Sequence, residues 1–112
     1  MLNTQSKIKI MELLAEEYTN GACGTSTQAP AATDTDLIAE VTSTIQAITV
    51  SQNNQQIITT YNLNSVTGNG NTYAEYANYF TTSETMFNRI TFTGVPKNSA
   101  IEFQVSSIIN IL

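Results

Sequence analysis

The chain is predicted to fold as a mainly β protein: an antiparallel β-sandwich or meander of about five strands, with an N-terminal amphipathic helix and a short helical turn after a long loop. Three observations predict this. From residue 42 onward, β-branched and aromatic residues recur in short runs; polar segments at 53–54, 68–71, 81–84 and 96–98, three of them bearing Asn, Gly or Pro, separate those runs; and the first twenty residues repeat their apolar positions at helical spacing instead. With 112 residues and 41% hydrophobic content the sequence supports a single domain with one modest core. It divides into a helical segment at 1–20, a loop with a short helix at 21–41, and a β-sheet body at 42–112.

Over residues 5–18, Ile8, Met11, Leu14, Ala15 and Tyr18 fall on one helical face, with Asn3 or Thr4 as the cap and Asn20-Gly21 as the stop. That apolar stripe must lie on the home sheet or on a neighbouring subunit. Residues 21–36 are rich in Gly, Ala, Thr and Ser and contain Pro30, so they read as loop. A loop of this length in a small domain either binds something or docks on the protein body. Asp34 and Asp36 then precede Leu37-Ile38-Ala39-Glu40-Val41 in the manner of helix-capping residues, with Glu40 placed to return to a cap.

Five strands are expected at 45–50, 56–66, 72–80, 85–95 and 100–112. The last one alternates, with Ile101, Phe103, Val105, Ile109 and Ile111 on one face and Ile108 and Leu112 as exceptions. Met86, Ile90 and Phe92 are expected to share a face of the strand before it. A hairpin centred near Thr82 sets Tyr79 opposite Thr85, Ala77 opposite Phe87, Glu75 opposite Arg89 and Tyr73 opposite Thr91, so that a carboxylate meets a guanidinium. The same alternation puts Tyr73 and Tyr79 on one face and Tyr76 on the other.

Only 12% of the residues are charged, and the formal net charge is −5 with four Lys and Arg in all. Phosphate contacts need clustered cations, so no nucleic-acid partner is expected. No stretch approaches the ~20 apolar residues of a membrane span, and Glu12, Glu16 and Glu17 interrupt any secretory signal core, so neither a membrane partner nor a signal peptide is expected. Histidine is absent, and the single Cys23 has neither a disulfide partner nor an evident base, so the parts for acid–base or nucleophilic catalysis are missing. Asp34, Asp36 and Glu40 lack the glycine and the further oxygen ligands of a calcium loop, so capping is their simpler role, and neither metal nor cofactor is expected. Tyr61, Tyr73, Tyr76 and Tyr79, with neighbouring asparagines, leave a carbohydrate-binding module open as a second reading.

Three stretches carry a resemblance: Thr33-Asp34-Thr35 through Leu37 to Glu40-Val41, then Glu75-Tyr76-Ala77-Asn78-Tyr79-Phe80, then Phe87 to Phe92 with Arg89 inside it. In this order the chain resembles small structural and fibre-attachment proteins of tailed bacteriophages and prophages. Ala77 and Asn78 stand where that group carries glycine and a leucine-like residue. The resemblance implies a virion component of the tail, baseplate or fibre attachment, or alternatively a capsid-surface decoration protein. Such a protein is made in the host cytoplasm, has no catalytic residues, and partners other virion proteins and copies of itself, with a host-surface glycan as a further ligand class. The residues that would carry assembly are Asp34, Asp36, Glu40, Tyr73, Glu75, Tyr76, Tyr79 and Arg89.

Overall fold

A computed structural model describes residues 3–53, 56–80 and 85–110. Helix α1 (Thr4–Glu17) starts as the sequence indicates: the Asn3 side chain accepts a hydrogen bond from the Ser6 amide at 2.8 Å. Its end differs. The stop is not Asn20-Gly21, because Tyr18 already turns extended and opens strand β1 (Tyr18–Gly24). The Tyr18 ring is drawn into the core, stacked on Phe80 at 5.1 Å and edge-on to Phe87 at 5.0 Å. The helix stripe packs on its own domain, with Met11 fully buried against Tyr18 and Ile57.

Among the described residues the body has seven strands where the sequence predicts about five, in the two layers of a sandwich. A four-stranded antiparallel sheet runs in the order β2 (Gln46–Ala47), β1, β5 (Thr72–Phe80), β6 (Thr85–Pro96), and a three-stranded one in the order β3 (Thr49–Asn53), β4 (Gln56–Leu63), β7 (Phe103–Asn110). The single expected strand at 45–50 divides at Ile48 between the two sheets. The chain thereby turns the corner of a sandwich and closes one lateral side. The expected strands at 56–66, 85–95 and 100–112 match β4, β6 and β7 with shifted ends, and 72–80 matches β5. The turns expected at Asn53-Asn54 and 81–84, and residues Ile111 and Leu112, fall wholly or partly outside the described residues.

The two sheets meet through alternate residues. Ile57, Thr59, Tyr61 and Leu63 of β4 point inward, and the Tyr61 ring meets Tyr76 at 5.0 Å. Tyr73, Leu63, Cys23 and Phe103 complete this cluster, with Ile90, Phe92, Val95 and Val105 at its rim. On β7, Phe103 is buried, Val105 and Ile109 are half-buried, and Ile108 is 61% exposed, as its exceptional place in the alternation suggests.

Two irregularities in the β5–β6 ladder overturn the simple register. The pairs are Phe80 with Thr85, Tyr79 with Met86, Asn78 with Asn88, Ala77 with Arg89, Glu75 with Thr91 and Tyr73 with Val95. An extra residue at Phe87 sends Met86 outward to Ala22, Leu37, Ala77 and Tyr79, away from Ile90 and Phe92. The second shift, between Tyr73 and Glu75, turns Tyr73 into the inner cluster beside Tyr76, so Tyr73 and Tyr79 do not share a face.

At mid-height the interface is polar. The Asn78 amide donates to Asn88 Oδ1 at 3.0 Å and to Ser107 Oγ at 3.2 Å, while its oxygen accepts from Tyr76 at 2.6 Å and from Thr59 at 3.3 Å. Thr59 and Ser107 are also hydrogen-bonded to each other. Asn78 thus uses both ends of its amide to join the two sheets, and each buried group depends on the others. Asn78→Ala is expected to cost about 1–3 kcal/mol by stranding the Tyr76 and Thr59 hydroxyls. Equilibrium denaturation measures that loss, and Asn78→Asp at neutral pH should not restore it.

Candidate functional site

β5 is buried along residues 73–79, on both faces. The inner face meets the second sheet, and the outer face is covered by the segment between β1 and the corner. The cover is held by one carboxylate. Glu75, fully buried, accepts from the Ile38 amide at 3.0 Å through Oε1, and from the Ala39 and Ser26 amides at 2.8 and 3.2 Å through Oε2. Arg89 Nε donates to Oε1 at 2.8 Å. The guanidinium continues to Asp34 Oδ2 at 3.3 Å and to the Gln28 carbonyl at 2.8 Å. The pair lies on a diagonal of the ladder rather than directly opposite, since Arg89 faces Ala77, but the two side chains share the outer face as the sequence indicates.

Burial raises the carboxyl pKa of Glu75, and Arg89 with the Ala39, Ile38 and Ser26 amides more than offsets that, leaving the group below its ordinary value. The same geometry explains the absence of the helical turn expected at 37–41. The amides of Ile38 and Ala39 are engaged by Glu75, the Thr25 amide donates to the Ala39 carbonyl at 3.1 Å, and Val41 donates to Cys23 at 3.0 Å, so Glu40 forms an isolated bridge with Gly24. A short 3-10 turn follows instead at Thr42–Thr44. The loop expected over 21–36 is also shorter, because 21–24 belong to β1.

Asp34, Asp36 and Glu40 do not cap a helix. Asp34 closes a turn with the Ala31 amide at 2.9 Å and pairs with Arg89, while Asp36 and Glu40 accept from the Tyr79 hydroxyl at 3.0 and 3.4 Å. Six of the eight assembly candidates, namely Asp34, Asp36, Glu40, Glu75, Tyr79 and Arg89, therefore meet in one latch across the outer face. Tyr73 and Tyr76 lie apart from it in the inner core. With Tyr61, Tyr73, Tyr76 and Tyr79 all at most 1% exposed, these rings present no stacking face to a sugar.

Sequence reasoning missed Gly24 and Thr44. A Cβ on Gly24 would collide with the Glu75 carboxylate and stand 2.5 Å from the Ala39 carbonyl, so only glycine lets the latch close. The buried Thr44 hydroxyl accepts from the Cys23 amide at 2.9 Å and lies 3.0 Å from its carbonyl, docking the 3-10 turn on β1. Small residues in a glycine-flanked run were the available signal for a strand covered closely on both sides.

The hydrogen-bond partners of Glu75 and Arg89 lie within the fold, which makes the site a fastener. Cys23 is fully buried and its thiol is pushed up to about 12, first by burial, so it stays protonated at neutral pH. Among the described residues, no group of three or more His, Cys, Asp or Glu is placed to hold a metal ion, and no helix is long and apolar enough to cross a membrane.

A second feature lies on the opposite lateral side from the β2–β3 corner. Among the described residues β6 is hydrogen-bonded only to β5 and β7 only to β4, so both sheets end there in a strand with one free edge. A shallow groove of about 290 Å³ runs between them, lined by Phe92, Val95, Phe103, Gln104, Val105 and Ser106. No protein-family model, curated protein or solved structure matches the chain.

Arg89→Met is expected to cost about 3–5 kcal/mol by leaving the buried carboxylate without its counter-charge, as read from urea denaturation. A carboxylate with a lowered pKa in the folded state contributes stability that is complete above its unfolded value of about 4.3 and is lost as pH falls through the lower folded value. Stability measured from pH 7 to pH 3 should therefore fall at the acid end. In Glu75→Gln the part of that fall due to this group should vanish, leaving a flatter curve that lies below the native one at neutral pH and approaches it at the acid end.

Proposed function

We propose that this chain is a non-enzymatic assembly subunit that joins neighbouring proteins through the β6–β7 side of its sandwich. One observation carries the proposal: both sheets end on the same side in unpaired strands that flank an apolar groove. A free edge exposes a row of backbone donors and acceptors, and proteins that stay single usually protect it with charge, proline or a covering element. Here the other side has that protection, since the chain itself turns the corner at Ile48 and α1 packs on β3, where Gln52 donates to the Ile8 carbonyl at 3.1 Å. The β6–β7 edges have almost none. Arg89, the sole charge on β6, is turned into the latch, β7 carries no charge, and Pro96 stands only at the end of β6.

The latch suits this role. A loop fastened by a buried ion pair gives a surface of fixed shape, and a fixed shape lowers the ordering cost of association. The phage-type setting, as a tail, baseplate or fibre-attachment component or a capsid-surface decoration, rests on the sequence resemblance at 33–41, 75–80 and 87–92. The helix is a weaker candidate surface, because its stripe is occupied by its own domain and Leu13 is its one large exposed apolar residue.

Lysine at exposed edge positions tests the reading. Thr93→Lys and Gln104→Lys should each abolish recovery of the chain with intact particles from the cells that make it, while leaving thermal unfolding unchanged. Leu13→Lys should be recovered normally. Full recovery of both edge variants would overturn the proposal.

A further inference from the structure

Building on that reading, the geometry points to a second copy of this chain as an occupant of the edge: β7 pairs antiparallel with β7 of its partner about a two-fold axis at Ser107. The strand is self-complementary at that centre. Gln104 comes opposite Asn110, Val105 opposite Ile109, Ser106 opposite Ile108, and Ser107 opposite itself. Each pair keeps to one face. Gln104, Ser106, Ile108 and Asn110 all point outward in the single chain, whereas Val105, Ser107 and Ile109 are the half-buried set. The inward pair is aliphatic, and the outermost pair joins two amides able to donate and accept. A centre at Ser106 instead sets Val105 against Ser107 and Gln104 against Ile108, which loses both the inward aliphatic pair and the outer amide pair.

Charge permits the same occupant. The chain carries a net charge of −5, so two copies repel wherever their acidic surfaces meet, yet residues 103–110 contain no charged side chain. The flanking β6 edge adds no free charge, because Arg89 is bonded to Glu75 and Asp34. This edge is where copies approach without like-charge cost. Pairing also removes an anomaly of the single chain. Ile108, a large aliphatic residue 61% exposed on an open edge, gains the partner's Ser106 as its opposite neighbour and the partner's Ile108 on the diagonal, about 7–8 Å away and within side-chain reach. The partner's Ile109, opposite Val105, closes the end of the groove formed with Phe92, Val95 and Phe103. The three-stranded sheet becomes a continuous six-stranded one, in the order β3-β4-β7 followed by the partner's β7-β4-β3.

The test is sedimentation equilibrium of the purified full chain together with disulfide trapping. The native chain should form a dimer, and Ile108→Lys should raise its dissociation constant roughly tenfold or more by placing a cation on the edge and removing apolar contact. The circular dichroism spectrum, and the melting temperature at concentrations where both proteins are monomeric, should stay unchanged, because the side chain is already exposed in the single chain. Ser106→Cys and Ile108→Cys proteins should form a crossed disulfide on oxidation when mixed, and the buried Cys23 should take no part. A monomer at all concentrations overturns the inference, as does a dimer indifferent to Ile108→Lys or a mixture without crossed disulfide. If edge lysines still block recovery with particles in any of those cases, the assembly reading stands and the occupant is another protein. If they do not, both fall.

Discussion

A carboxylate buried among protein atoms must recover the hydration it has lost, and Glu75 recovers it from three loop amides and a guanidinium. The rest of the outer face follows from that requirement. The amides come from Ser26, Ile38 and Ala39, at the two ends of a segment without regular structure, so satisfying one side chain closes the whole cover. Arg89 cannot be buried alone either, and its remaining donors reach Asp34 and the Gln28 carbonyl inside the same cover. The central strand can then be buried on both faces in a chain of only 112 residues. Gly24 is the steric condition of the arrangement, since the carboxylate occupies the space where a side chain would begin.

The sandwich treats its two lateral sides differently. One is closed by the chain passing from β2 to β3 and by the helix beside it. The other presents two edge strands with uncharged exposed residues. A polar layer centred on Asn78 fixes the alignment of the sheets through directional bonds, so the two edges are held at a constant separation across the groove. Rigid alignment and an open edge serve the same end, because a strand added to such an edge meets a template that does not have to be ordered first.

Much of this was legible in the residues. Period-two runs bounded by polar segments, rich in Asn, Gly and Pro except at 81–84, locate β4 to β7, and Asn3 marks the helix start. Glu75 and Arg89 were identified as a cross-strand pair from the spacing of two strands around 81–84. The errors share a cause in long-range contacts. β1 contains Gly21, Ala22, Cys23 and Gly24, which read as loop because no alternation of large and small residues betrays a strand packed closely on both sides. Capping residues before Leu37 promise a helical turn, but a carboxylate from a distant strand competes for its amides and prevails. A bulge cannot be read from periodicity, and those at Phe87 and near Tyr73 moved Met86 and Tyr73 to faces that alternation denies them. Spacing leaves the burial of this ion pair open, and the covering segment makes it the interior fastener of the fold.

The placement of β1 bears on how the molecule reaches its folded state. Its partners are β2 and β5, and Cys23 pairs with Tyr76, far along the chain. During synthesis the helix and β1 emerge well before β5 exists, so the first strand waits without its main neighbour. The loop latched by Glu75 waits with it, for its anchor lies on that same late strand. Non-local closure of this kind places folding on the millisecond-to-second scale rather than the microsecond scale of helical domains. In that interval an early, small-residue strand with few charges is the segment most open to pairing with the wrong neighbour.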